Sequence, residues 1–165
     1  MKLKTFPALL LLILAVSTPY LVLANEANDL GATGDIPVIN AQGFSEFLRE
    51  QAGKVVVVDF WATWCGPCRK KLPALMACRD RFSEEEVSML GISLDFNPAT
   101  LRSFLKVNQL NYPIVLAEDG LGDELGVGAI PLLHVYNALG ELVIVEEGLT
   151  SPETLCQEVG RLTAP

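Results

Sequence analysis

The chain has 165 residues, half of them hydrophobic, with 12 Lys and Arg against 20 Asp and Glu and a formal net charge of −8. An acidic balance with no basic stripe excludes recognition of nucleic acid through its phosphates. The length suits one domain with its own hydrophobic core, and neither repeats nor low-complexity tracts divide it.

The chain opens on a short basic stretch, Met1 to Lys4, followed by a continuous apolar run, Ala8 to Val16. Val22-Leu23-Ala24 is a small-residue cleavage pattern before polar Asn25-Glu26. Residues 1–24 therefore read as a secretory signal peptide. The alternative is an uncleaved anchor over Phe6 to Ala24, which Pro7 and Ser17-Thr18-Pro19 interrupt and which is short for crossing a bilayer. No cysteine stands near the cleavage point, which argues against a lipoprotein. Cleavage removes Lys2 and Lys4 and no acid, so the formal charge moves from −8 to −10. Either way the domain is expected outside the cytoplasm, in the periplasm or its equivalent, where disulfides persist. Residues 25–35 read as a polar, flexible lead-in, and residues 36–165 as the domain.

Pro37-Val38-Ile39 predicts a short strand, and Phe44, Phe47 and Leu48 a helix ending near Gly53. Val55 to Phe60 is an unbroken, Val-rich apolar run, the signature of a strand buried on both faces of a parallel sheet. A helix follows from Cys65 to Phe82, with Leu72, Leu75, Met76 and Phe82 on one side and Pro73 as a structural kink. Val87 to Leu94 predicts another buried strand. Asn97-Pro98 starts a helix carrying Leu101, Phe104 and Leu105; Tyr112 to Leu116 is extended, and Gly120 to Leu125 is a helical turn. Leu132 to Tyr136 and Leu142 to Val145 flank a hairpin signal, Asn137-Ala138-Leu139-Gly140. Thr150-Ser151-Pro152-Glu153 reads as a capping box before a last helix with Leu155, Val159 and Leu162.

The chemistry sits at one junction. Trp61-Ala62-Thr63-Trp64-Cys65-Gly66-Pro67-Cys68 follows the central strand and opens a helix, so two thiols straddle its first turn. Backbone N–H groups there lack intrahelical partners and the helix dipole favours negative charge, so a thiolate at Cys65 is stabilised. Its pKa should fall from roughly 8.5 toward roughly 7. Cys68 lies one turn on, pointing inward, placed to attack a mixed disulfide formed by Cys65. Gly66 permits close approach by a partner backbone, and Pro67 presets a helical φ. A structural zinc site would need four ligands at recognisable spacing. Only Cys78, Cys156 and His134 remain, none of them in a second paired motif, so neither a metal nor another cofactor is expected. A purely structural bridge across so short a loop adds little constraint, and redox use is the better reading.

These residues resemble the thioredoxin superfamily, and within it the periplasmic TlpA/ResA-like thiol–disulfide oxidoreductases. The resemblance runs through Val57 to Lys70, Leu72-Pro73, Leu90 to Asp95 and Val127 to Pro131, and spans roughly Ile36 to Leu162. It implies an α/β thioredoxin fold, a central mixed sheet with helices on both faces, and a central insert between Asp95 and Pro131. It also implies a catalytic set of Cys65 as attacking thiol, Cys68 as resolving thiol, Asp59 as a buried carboxylate exchanging a proton with Cys68, and Pro131 as a cis-proline beside the pair. Trp64, Gly66, Pro67 and Ile130 are the implied substrate-binding residues. Asp59, where many TlpA-like chains carry Asn, leans toward thioredoxin-like chemistry. Leu132 after the proline departs from the common Thr, and Ile130 before it tunes redox poise, so the likeness specifies the chemistry better than its direction.

The implied function is reduction of extracytoplasmic protein disulfides, apocytochrome c during cytochrome c maturation among them, with a membrane thiol as electron donor. An oxidase or isomerase is the second reading, and a binding module such as a metallochaperone the third. Trp61 and Trp64 are expected to shield the pair and offer an apolar docking surface. Asp95 is expected to act as an active-site acid, a helix cap or a loop residue. His134 is expected to be packed, without a role. Cys78 and Cys156, at the flanks of apolar helix stripes, are a candidate structural disulfide.

Overall fold

The computed structural model describes residues 35–148 and 151–163. The expected signal segment, nearly all of the lead-in and Thr150 of the capping box lie outside them. The elements follow one another as β1 (Val38–Ile39), α1 (Ala41–Glu50), β2 (Val55–Trp61), α2 (Gly66–Arg79), β3 (Val87–Ser93), α3 (Pro98–Val107), β4 (Ile114–Ala117), α4 (Leu121–Glu124), β5 (Leu132–Tyr136), β6 (Leu142–Glu147) and α5 (Pro152–Thr163).

The strands form one mixed sheet in the order β1-β4-β3-β2-β5-β6. β2 pairs in parallel with β3 and antiparallel with β5, so it is central, and all seven of its residues are buried. That is why its sequence shows no alternation: neither face meets water. β6 is an edge and shows the opposite pattern, with Leu142, Val143 and Val145 exposed. The helix and strand expected between Asp95 and Pro131 are α3 and β4, and β4 lies between β1 and β3. The hairpin from β5 to β6 turns where Asn137 Oδ1 accepts from the N–H groups of Leu139 and Glu141, with Gly140 at φ 79°.

Each face has its own core. One face, carrying Val55, Val57 and Trp61 of β2, packs under α2, α3 and α5 through Cys68, Leu72, Leu75, Leu101, Leu155 and Val159. The other, carrying Val56, Val58 and Phe60, packs against Phe44 of α1 and Leu121 of α4. Burying Leu72 and Leu75 alone is worth about 1.5–3 kcal/mol each. By the period of two along a strand, Asp59 falls on the face of Val57 and Trp61, beneath α2. Pro73 stands on the exposed side of α2, where its missing N–H and ring do not disturb the core.

Three expectations need correction. The helix predicted from Cys65 to Phe82 begins at Gly66 and ends at Arg79. Cys65 is its N-cap, with extended backbone, because its sulfur caps the first turn. Trp61 offers no docking surface: it is fully buried and packs on Phe104, ring centroids 5.4 Å apart, because a strand of this sheet has no outward face at its centre. Asp95 does not cap α3; Asn97 does so by accepting from the Ala99 N–H at 2.9 Å.

Candidate active site

The site is built where β2 runs out and α2 begins. Cys65 and Cys68 are joined, with Cα atoms 5.2 Å apart. The Cys68 N–H donates to Cys65 Sγ at 3.2 Å, so the sulfur occupies the place an Asp or Ser oxygen takes at other helix starts. A donor aimed at that sulfur, together with the helix dipole, favours the thiolate once the bond is reduced. Cys65 is 6% exposed and Cys68 1%, a difference in the expected direction but a small one in this disulfide form. Gly66 is half-buried and Pro67 exposed beside the pair.

The opposite wall is the turn before β5. The Ile130–Pro131 bond is cis, and Ile130 O lies 3.9 Å from Cys65 Sγ. Pro131 is buried and Ile130 partly so. In front, Trp64 is 58% exposed and stacks on Phe96, itself 90% exposed, with ring planes 9° apart. Trp64, Phe96, Leu94, Val127 and Ile130 line a groove of about 450 Å³, and the carbonyl of the last is the one beside Cys65.

Beneath α2, on the face of Val57 and Trp61, the sheet carries a buried polar pair, Asp59 and Tyr112. Asp59 is 2% exposed. Burial raises its carboxyl from an ordinary 3.8 to about 7, opposed by the Lys71 ammonium and by Tyr112, whose hydroxyl donates to Asp59 Oδ2 at 3.4 Å. Gly91 stands beside Asp59 in the β2–β3 register. A Cβ there would collide with Ile114 Cδ1 and crowd Tyr112 Cε2 at 3.1 Å, so glycine makes the room that Ile114 and Tyr112 share.

Lys71 was not singled out from the sequence, whereas Asp95, His134 and the Cys78–Cys156 pair were. Lys71 is 4% exposed; helical spacing had the signal, since Lys71 follows Cys68 by three residues and shares its buried side with Leu72 and Leu75. Asp95 is buried and accepts from the Thr63 N–H at 2.9 Å, the Thr63 hydroxyl at 2.5 Å and the Ser93 hydroxyl at 2.7 Å. It pins the loop before Cys65 to the end of β3. His134 is packed edge-on against Phe60 and near Tyr136, and burial lowers its pKa. Cys78 and Cys156 are brought together at the other end of α2, joined, with Cα atoms 5.6 Å apart, within the span a disulfide bridges.

A helix-capping dithiol facing a cis-proline at the end of a central buried strand defines a thioredoxin-like thiol–disulfide oxidoreductase, and comparison with known proteins agrees. The AhpC/TSA family profile matches residues 25–145, and the chain belongs to that family. The thiol-disulfide oxidoreductase ResA of Halalkalibacterium halodurans is 30% identical over 126 residues, covering 75% of this chain and 70% of that protein. Among solved structures, StoA from Bacillus subtilis is 30% identical with a TM-score of 0.58, over 64% of this chain and 82% of that one. A thiol:disulfide interchange protein of the thioredoxin family from Chlorobium tepidum, 24% identical, shares the fold with a TM-score of 0.64, over 70% and 84% of the two chains.

Proposed function

We propose that this enzyme reduces disulfides of proteins outside the cytoplasm, with Cys65 as nucleophile, Cys68 as resolving thiol, Asp59 as its proton acceptor and the Ile130–Pro131 turn as the place where substrate backbone lies. The observation that carries the reading is Cys65 Sγ capping α2 within reach of Ile130 O, with a buried carboxyl on the same layer as Cys68. The Cys65 thiolate attacks one sulfur of the substrate disulfide; a sulfur–sulfur bond forms to Cys65 and the other substrate sulfur leaves as thiolate. Cys68 then gives its proton to Asp59 and attacks Cys65 Sγ. The second substrate thiolate leaves, the Cys65–Cys68 bond closes, and the substrate has gained two electrons. A dithiol donor, which in this reading is a membrane protein, restores the pair.

Location outside the cytoplasm rests on residues 1–24 as a signal peptide, removed after Ala24. Apocytochrome c in cytochrome c maturation is the substrate the resemblance to TlpA/ResA-like reductases favours. Cys78–Cys156 serves as a structural bridge suited to that compartment.

Gly66-Pro67 between the cysteines and Asp59 behind them resemble thioredoxin, so the potential of the pair should lie near −270 mV, far from the roughly −120 mV of a strong periplasmic oxidant. Equilibration against glutathione mixtures measures it. A value above about −180 mV overturns the reductase reading and installs an oxidase or isomerase.

A further inference from the structure

The two chain neighbours of Cys65 line two different grooves, and the grooves differ in charge. Trp64 belongs to the one in front, which carries Asp123 and no cation. Gly66 belongs to a second, of about 690 Å³, between α2 and the end of α3. The apolar part of its lining is Leu72, Met76, Phe104 and Leu110. Arg69 and Lys70 are its charged groups, and no carboxylate lines it. Asn111 Nδ2 donates to Met76 O at 3.0 Å, which ties the chain after α3 to α2. Gly66, Arg69, Lys70 and Pro73 follow the spacing of one helix face, so the cations stand in line with the start of α2. From Gly66 to Met76 the helix rises about 15 Å, the reach of about four residues of extended chain.

Arg69 and Lys70 are exposed, and among the described residues neither side chain has an ion-pair partner. Carboxylates are plentiful in this chain, with 20 acids against 12 bases, and Arg79, Arg81, Arg102 and Arg161 each pair with one. The net negative charge favours basic partners at long range, so two open cations beside the redox pair act locally against that trend. We propose that the α2–α3 groove receives the segment of a protein substrate that adjoins its reacting cysteine, and that Arg69 and Lys70 select acidic side chains in that segment. Its apolar residues lie over Met76 and Phe104. The inference rests on Cys65 as the thiol that attacks a protein disulfide, and it names the class of substrate. Exposed charge pairs add little affinity singly, but complementary charge speeds association and fixes register.

The test uses short synthetic peptides with a central cysteine held as a mixed disulfide with thionitrobenzoate. About four residues on each side, the reach of the groove, alternate Leu with Glu, Gln or Lys. The Cys65 thiolate of the reduced enzyme attacks the peptide sulfur and thionitrobenzoate leaves as a coloured thiolate. Cys68 then displaces the peptide thiol, and the Cys65–Cys68 bond closes. Arg69 adjoins Cys68 and adds to the field on both thiols, so the ratio of rate constants between peptides is the readout; the thiol chemistry cancels in it. The Glu peptide should react about fivefold faster than the Gln peptide at low salt, with the Lys peptide slowest. Salt at about 1 M, where the Debye length is about 3 Å, should bring the ratio close to one. Arg69→Gln with Lys70→Gln should abolish the Glu preference, and Arg69→Lys with Lys70→Arg, which keeps both charges, should retain it. A wild-type preference for Gln or Lys, a Glu preference unmoved by salt, or one that survives in the neutral variant overturns the proposal alone. Self-association of wild type that disappears in the neutral variant assigns the groove to a second copy of this chain and also overturns it. Release no faster than from Cys65→Ser overturns the attack by Cys65 and the proposal with it.

Discussion

Cys65 and Cys68 are three residues apart and face opposite surroundings. In front of Cys65 the surface is apolar and open: Trp64 and Phe96 stand stacked in solvent at the mouth of a groove walled by Ile130. Behind Cys68 the interior is polar and closed, with Asp59, Lys71 and Tyr112 each no more than 5% exposed. Both arrangements invert the usual distribution of polarity, in which large apolar groups are covered and charges are wet. Exposed aromatics are useful only when a partner covers them. Buried titratable groups are useful because desolvation brings a carboxyl into the range where it can take a proton from a thiol. In the proposed reaction one cystine divides the surface that meets substrate from the carboxyl that takes a proton, one turn of α2 apart.

The largest expected effect comes from removing the front sulfur. Cys65→Ser should abolish disulfide reduction, whereas Cys68→Ser should still attack and accumulate a mixed disulfide with substrate, seen on a non-reducing gel. Accumulation in Cys65→Ser instead would reverse the two roles.

Asp59 tests the rear. Its ordinary pKa is 3.8 and its folded-state value about 7, so between those values the native state holds a proton that the unfolded chain has released. The stabilising contribution of that proton is whole below about pH 4 and is lost as pH rises through 7. Asp59→Asn removes the charge at every pH. The oxidised variant should match wild type near pH 4 and exceed it in stability above pH 7 by on the order of 4 kcal/mol, read by urea unfolding without reductant. A variant less stable than wild type at pH 8 would mean that Lys71 fully compensates the buried carboxylate.

A third experiment asks whether the far end of α2 belongs to the site at all. Replacing Cys78 and Cys156 together by Ala should cost about 2–5 kcal/mol of stability and leave the rate of disulfide reduction intact. Loss of rate at full folding would join this pair to the redox chemistry. The smallest effect is expected at the groove. Trp64→Ala with Phe96→Ala should raise KM for a protein disulfide about tenfold, equivalent to ~1.4 kcal/mol, and leave kcat for a small disulfide unchanged. An unchanged KM would leave the stacked pair without a part in recognition.

What the sequence determined by itself is what short-range pattern can carry. The Val55–Phe60 run made a doubly buried central strand legible, because a strand covered on both faces shows no alternation. The dithiol spacing, Gly66-Pro67 and the helical periodicity after them located the redox pair, because capping and dipole effects act within one turn. The order of strands and helices around Asn137-Gly140 and Asn97-Pro98 followed from turn and cap chemistry in the same way. The tertiary structure decided everything that depends on what an element is packed against. Trp61 and Trp64 are three residues apart in one aromatic motif, yet one is core and the other open, because β2 ends between them. Lys70 and Lys71 read alike in sequence, but the rotation of α2 on the sheet leaves the first in solvent and buries the second against Gly148 and Glu146. Asp95 latches Thr63 across 32 positions of chain, and Cys78 meets Cys156 across 78. Such pairings depend on long-range packing, which no local propensity encodes.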